Sequence, residues 1–213
     1  MAKLAIIGAG NVGGALGKGW ARAGHSITYG VSTPADPKHA DAARAAGGAR
    51  VETVAAAVRE ADAIVLAVPW DAAPAAIAAC GDLTGRILID VTNPLRFASG
   101  GLELALGWST SGAERNAELA RGAAVVKTMN QVGFAVMAAA DRYVAKPVMF
   151  AAGDEANAKS VALGLVGDLG FDARDAGPLK MARLLEPLAM LWIDQVMTHH
   201  APGDNAFAFL SRR

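Results

Sequence analysis

The sequence contains one cysteine, Cys80, in 213 residues. A single thiol closes no internal disulfide and builds no cysteine-rich zinc site, which points to a reducing, cytoplasmic setting. In its Ala-rich surroundings Cys80 reads as a small apolar filler of a helix. Neither sign of charge is in excess, since 20 Lys and Arg stand against 20 Asp and Glu. That balance offers no basic field to a phosphate backbone, so no nucleic-acid partner is expected. No apolar run reaches the ~18 residues of a membrane span without glycine or charge breaking it, so no membrane partner is expected either. With 53% apolar and 19% charged residues, the chain is not a disordered one. Its 24 glycines follow no Gly-X-Y period, which excludes collagen.

The stretch Met1 to Gly17 could pass for a signal peptide, but Gly8, Gly10, Gly13 and Gly14 break its apolar core. A different pattern accounts for them. Leu4-Ala5-Ile6-Ile7 is a short buried-type strand. It runs into Gly8-Ala9-Gly10-Asn11-Val12-Gly13, a helical pattern over Val12–Ala23, a closing Gly24 and a second strand at Ser26–Tyr29. Strand, glycine turn, helix and strand within one short unit give the Gly-x-Gly-x-x-Gly spacing its dinucleotide-binding meaning. Gly8 permits the tight turn, Gly10 lets backbone approach a pyrophosphate, and Gly13 lets the helix sit close to the sheet. Asn11 and Val12 open the helix, whose free N–H groups face the anion.

The alternation continues along the chain. Thr53 suits the N-cap of a helix over Val54–Glu60, and Ala63–Val68 reads as a buried strand stopped by Pro69-Trp70. Asp71 is expected to cap an Ala-rich helix, and Arg86–Val91 reads as a strand ending at Thr92-Asn93-Pro94. The region Arg96–Gly112 is the longest expected loop, a class often functional. Ser111 and Glu114 have capping-box spacing for a helix to about Leu119. Strands at Ala123–Met129, Pro147–Ala152 and Phe171–Asp175 frame a helix over Glu155–Leu169. This order predicts an α/β, Rossmann-type, doubly wound and mainly parallel sheet. No low-complexity linker marks a boundary, so residues 1–213 are expected to form a single NAD(P)-binding domain. Within it, 178–213 form a C-terminal helix and tail, packed on the body or on a partner subunit. The helical pattern runs from Leu179 to Met197, with Leu184, Leu188, Leu191 and Trp192 at helical spacing and Pro187 expected to kink it. The tail carries Phe207, Phe209 and Leu210.

In such folds ligands lie beyond the carboxyl ends of the strands. The expected cofactor contacts are therefore Gly8, Gly10, Asn11, Val12 and Gly13 at the first turn, Val68, Pro69 and Trp70 at the next strand end, Thr92, Asn93 and Pro94 beyond it, and Asn130. After the second strand no carboxylate awaits a ribose diol. Ser32, Thr33 and Lys38 are there instead, which favours the 2′-phosphate of NADP over NAD. No conventional proton donor stands at a strand end, so no catalytic side chain is assigned. His25 sits in a turn and reads as structural, and the adjacent His199-His200 pair does not favour a metal site. Tyr143 and Lys146 miss the spacing of the short-chain dehydrogenase pair. Lys127 lies in a strand with its side chain expected to point away from the site, and Glu186 reads as a buried, paired carboxylate. A nicotinamide site without an acid suggests hydride exchange with a second ring, whose chemistry is largely intrinsic.

Four segments together carry a family likeness. Ile6-Ile7-Gly8-Ala9-Gly10-Asn11-Val12-Gly13, Asp90-Val91-Thr92-Asn93-Pro94-Leu95, Val126-Lys127-Thr128-Met129-Asn130 and Leu185–Trp192 resemble the NADPH-dependent reductases of coenzyme F420, a deazaflavin. They also resemble the oxidoreductase domain of the six-transmembrane metalloreductases. The resemblance implies NADP in the glycine turn, with F420, FMN or FAD as hydride partner near Pro69, Asn93 and Asn130, and a homodimer. Other readings are NADPH-dependent reduction of a small carbonyl or imine, and a non-catalytic NADP-binding regulatory module. Two departures from the family stand out: Val31-Ser32 where Ser-Arg or Thr-Arg is common, and Gln131-Val132-Gly133 after Asn130, where the deazaflavin reductases tend to carry further ring-contacting residues.

Overall fold

The computed structural model describes residues 1–212. In chain order the elements are β1 (Lys3–Ile7), α1 (Asn11–Arg22), β2 (Ser26–Val31), α2 (Ala40–Ala45), β3 (Arg50–Thr53), α3 (Val54–Val58), β4 (Ala63–Leu66), α4 (Ala73–Cys80) and β5 (Ile87–Asp90). They continue with β6 (Leu95–Ala98), β7 (Gly101–Leu104), α5 (Gly112–Leu119), β8 (Ala124–Lys127), α6 (Phe134–Met137), β9 (Val148–Gly153), α7 (Ala156–Asp168), β10 (Asp172–Gly177) and α8 (Ala182–Met197). Eight strands form one sheet in the order β10-β9-β8-β5-β4-β1-β2-β3. The chain runs from β1 outward to β3, then returns to the other side of β1 at β4. That reversal is the switch point of a Rossmann-type fold.

Alternation along β1 explains the layers. Leu4 and Ile6 enter one core with Leu16 and Trp20 of α1. Ala5 and Ile7 enter a second core with Val54 of α3 and Ile77 of α4. A strand covered on both faces reads as an unbroken apolar run, as Leu4–Ile7 does. Local signals hold where a side chain closes a cap: Thr53 Oγ1 accepts from Ala56 N–H at 3.4 Å, and Ser111 Oγ accepts from Glu114 N–H at 3.2 Å.

The expected mainly parallel sheet is what the chain forms, and four details add to or correct the sequence reading. First, β9 pairs with β8 antiparallel, the one such pair in the eight-stranded sheet. A parallel return needs a crossover long enough to retrace the strand. Residues 128–147 between β8 and β9 are numerous enough, but their only helices are the four-residue α6 and a short 3-10 turn, so no long helix carries the chain back along the sheet and it doubles back instead. The 13-residue α7 then supplies a true crossover, and β10 is parallel to β9. Second, the expected loop Arg96–Gly112 begins with a hairpin, β6 pairing with β7 from Leu95↔Leu104 to Ala98↔Gly101. Ser99-Gly100 is its two-residue turn, a recognisable hairpin signal. Third, Asp71 does not cap α4: it lies inside a 3-10 turn over Trp70–Ala72, and Ala72 occupies the cap without a side-chain bond. Fourth, β3 is a strand where none is expected.

The helix at Leu179–Met197 begins as a 3-10 turn at Leu179–Met181, and α8 passes through Pro187 without ending. Its inward face carries Ala182, Leu185, Glu186, Ala189 and Trp192, while Leu184 and Leu191 face outward. The tail docks on the body: Phe207 O accepts from Val148 N–H at 2.9 Å. The Phe209 ring meets Phe150 edge-on, with the Arg174 guanidinium 4.5 Å above its centroid. His25 is structural, its Nδ1 accepting from Ala2 N–H and its Nε2 3.0 Å from Asp168. Cys80 is buried among apolar side chains.

Candidate functional site at the β1–β4 switch point

β1 and β4 are neighbours in the sheet, so the turns that leave them face each other. The first turn is shaped by its glycines. Gly8 has φ +104°, and a Cβ there would collide with Ala67 O at the end of β4. A Cβ on Gly13 would strike Gly8 O and lie 3.3 Å from Ile6 Cγ2. These two glycines are required by packing of the protein on itself. Gly10 differs: its φ of −77° suits any residue, and a Cβ there would meet nothing within 4 Å. Nothing in the fold needs Gly10 to be glycine. It is exposed at the N-cap of α1, with no side-chain cap on the first-turn amides. Those amides are unsatisfied donors at the positive end of a helix dipole, which is an anion site in physical terms.

From this turn opens a cleft of ≈ 800 Å³, a size common for small-molecule sites. Gly10, Asn11 and Val12 form one wall; Val68, Pro69 and Trp70 form the opposite one, with Thr92 and Asn93 from the end of β5. Asp71, Leu95, Arg96, Phe97, Leu102 and Met197 also line it. The hairpin and the end of α8 therefore contribute walls that motif reasoning missed. The signal available was the long segment after Asn93, with its Ser-Gly-Gly turn.

Thr92 and Asn93 are held from behind. Asp90 Oδ1 accepts from Thr92 N–H at 2.8 Å and from its hydroxyl at 2.7 Å. Lys127, fully buried, turns inward beneath them. Its ammonium donates to Thr92 O, 3.4 Å from Asp90 Oδ2 and 3.3 Å from Glu186 Oε1. Lys127 thus stays out of the cleft, as expected, and supports it from beneath. Glu186 also accepts from Gly112 and Ala113 N–H at 2.8 and 3.0 Å, at the start of α5. Its reading as a buried, paired carboxylate holds. Asn130 is not part of the cleft lining. Its amide donates to Asn93 Oδ1 at 3.1 Å and to Leu185 O at 3.2 Å, and its carbonyl accepts from Asn93 Nδ2 at 2.9 Å. It orients Asn93 from the rear. Met129, just before it, is buried with φ +57°, a conformation that costs energy and often marks a site. Pro94 is buried behind the cleft, near Trp70, Gly112 and Glu186.

Ser32 and Thr33 are exposed on the loop after β2, outside the cleft. Lys38 lines a second hollow of ≈ 630 Å³, together with Gly10, Asn11, Lys18 and His39. The hollow thus meets the cleft at the glycine turn. Lys38 is itself bound to Asp36 at 2.8 Å. The hydrogen bonds from Lys38 hold the Asp36 carboxyl below the usual carboxylate range, so part of the lysine charge is already compensated.

Strand order and switch point define a Rossmann-type α/β protein. Residues 3–94 match the family described as NADP oxidoreductase, coenzyme F420-dependent. A protein from Arthrobacter sp. FB24, provisionally assigned as an F420-dependent NADP reductase, superposes with a TM-score of 0.88 at 26% identity, over 99% of this chain and 100% of that one. A hypothetical protein from Sinorhizobium meliloti is 30% identical with a TM-score of 0.75, over 85% of this chain and 88% of that one. A reductive aminase from Aspergillus terreus, solved with NADPH, shares the fold at 21% identity and a TM-score of 0.66, over 93% of this chain and 63% of the other. No curated protein matches the chain. Among the described residues no helix is long and apolar enough to cross a membrane.

Proposed function

We propose that the protein is a single-domain oxidoreductase that binds NADP(H) across the β1–α1 turn and mediates hydride exchange between its nicotinamide and a deazaflavin or flavin ring in the cleft. One observation carries this reading. The cleft lining includes no His, Tyr, Cys or Lys, and the Thr92 hydroxyl and Asn93 amide already donate to protein acceptors. Reduction of a carbonyl usually requires a positioned proton donor, whereas exchange between two rings requires mainly their apposition and the exclusion of water. The remaining ionisable lining groups are Asp71, which is exposed, and Arg96, bound to Glu103 at 2.7 Å.

The chain's own residues fit such ligands. Gly10 leaves room for a diphosphate against the α1 amides, and Ser32, Thr33 and Lys38 lie on the β2 side, where a 2′-phosphate belongs. Trp70, Phe97, Leu102 and Met197 offer apolar walls to a planar ring. The bound nucleotide would supply the hydride; the protein supplies alignment and dryness. The test is to mix the protein with NADPH and, separately, F420, FMN, FAD, a small ketone and a cyclic imine, and to follow nicotinamide oxidation. Turnover with a flavin-type acceptor is expected. Turnover with only the ketone or imine would move the reading to carbonyl or imine reduction, and tight binding without any turnover would leave a sensor.

A further inference from the structure

We infer that the second hollow receives the 2′-phosphate of NADP, and that Lys18 of α1 and His39 ahead of α2 make the contacts that select NADP over NAD. This rests on the nucleotide reading above and names the residues that give it specificity. The hollow shares Gly10 and Asn11 with the cleft. A diphosphate on the α1 amides is joined directly to the adenosine ribose that bears the 2′-phosphate, so the second anion belongs one ribose away. His39 ends the 3-10 turn Pro37–His39 and is nine-tenths buried. Its backbone N–H donates to Asp36 O at 3.2 Å, yet its ring nitrogens take no protein partner among the described residues, and the residue lines the hollow. A largely desolvated imidazole without a partner is costly, and an anion in the hollow supplies the partner.

Charge and space agree with that occupant. Two of the charges that face the hollow are already matched: Lys38 is bound to Asp36 at 2.8 Å and Asp41 to Arg44 at 2.9 Å. Lys18 has no ion pair among the described residues, so the uncompensated charge is positive. A lysine on a helix leans back toward the N-terminus, here toward the glycine turn. The space is kept by Gly14. A glycine inside a helix is destabilising relative to alanine. Packing explains Gly13, Gly17 and Gly19 of α1, where a Cβ would strike Gly8 O, the Tyr29 hydroxyl and the Leu169 side chain. It does not explain Gly14, whose Cβ would touch only Ala42 Cβ at 3.7 Å, an ordinary contact. With Ala15, Ala42 and Ala45 it gives the hollow a floor of small residues. NADP sites commonly place an arginine after the second strand, and Val31-Ser32-Thr33 has none. The Ser32 and Thr33 hydroxyls are neutral donors, so the charge that discriminates a phosphomonoester comes from Lys18, with His39 donating from the opposite wall.

The test uses the intact chain, titrated separately with NADPH and NADH by fluorescence, with a thermal melt of each variant to read folding. Lys18→Met, at an exposed position, should raise the Kd for NADPH about tenfold, the loss of one charge-assisted bond, and leave that for NADH within about twofold. Lys18→Arg keeps the charge and should bind NADPH nearly as the parent does. His39→Gln keeps a donor without the imidazole and should weaken NADPH several-fold more than NADH, at a melt close to the parent's. Parental NADPH affinity in Lys18→Met, or equal weakening of both nucleotides, would remove the 2′-phosphate from this hollow while leaving the nucleotide reading in place. A parent protein that binds neither nucleotide would overturn both.

Discussion

Gly10→Val separates space kept for a ligand from space needed by the fold. In the protein alone the change is nearly silent. Its Cβ meets nothing within 4 Å, and the backbone at φ −77°, ψ −164° is one that valine adopts readily. Replacing glycine by a poor N-cap loses up to ~1 kcal/mol. Restricting the unfolded chain returns ~0.4–1 kcal/mol. The balance stays within ~1 kcal/mol, a Tm change of no more than roughly 4 °C for a chain of this length. Binding is another matter. A branched side chain over the first turn of α1 holds a diphosphate away from the amides. Losing two charge-assisted hydrogen bonds at ~1.5–3 kcal/mol each removes ~3–6 kcal/mol, a roughly 10²- to 10⁴-fold rise in Kd. Fluorescence titration with NADPH and a thermal melt on the same sample read both quantities. Gly13→Ala is the control, since its Cβ meets Gly8 O and overpacking costs ~1–3 kcal/mol in stability. Parental NADPH affinity in Gly10→Val would show that the nucleotide does not cross this turn, and the functional reading would go with it.

Other outcomes can be checked with the same tools. Lys127→Met leaves the buried Asp90 and Glu186 carboxylates without their cation; breaking such a group costs ~3–5 kcal/mol. A Tm fall of roughly 6–20 °C is expected, partly restored by adding Glu186→Gln, and an unchanged melt would mean the network carries little. Ser32→Arg, at an exposed position, should raise the preference for NADPH over NADH about tenfold through one charge-assisted bond. A flat ratio would put the 2′-position elsewhere. Burial pushes the Cys80 thiol from 9.0 up to about 11. At pH 8 the folded protein thus holds roughly a hundredth of the thiolate of an unshifted thiol, and the thiolate is the nucleophile. Alkylation should stay slow until denaturant is added and should quicken as pH rises toward 11; rapid labelling of native protein would contradict that burial.

The first half of the fold is legible because its signals are local. The β1 run, the glycine turn, the Thr53 cap and the Ser111–Glu114 box each act within a few residues, and the structure keeps them. Strand direction after β8 is not local. It depends on whether the intervening chain can span the sheet, and a strand pattern at Pro147–Ala152 carries no arrow. The site divides the same way. The glycines and strand ends announce themselves, while Phe97, Leu102 and Met197 reach the cleft only through tertiary placement of the hairpin and α8.

α8 shows most clearly where periodicity stops informing. Leu184, Leu188, Leu191 and Trp192 sit at helical spacing, yet Trp192 packs inward while Leu184 and Leu191 face water. Spacing identifies which residues share a helix face but not which of two apolar faces meets the core. Size and chemistry decide that here. Ala182 and Ala189 are small enough to let α8 approach the sheet, and Glu186 must point inward to meet Lys127 and the start of α5. Once that carboxylate is fixed, the rotation of the helix is fixed, and the leucines have nowhere to go but out. An apolar stripe turned outward by a buried ion pair is thus a consequence of how Thr92 and Asn93 are supported. The residues that support the cleft from behind also set which leucines of α8 face water.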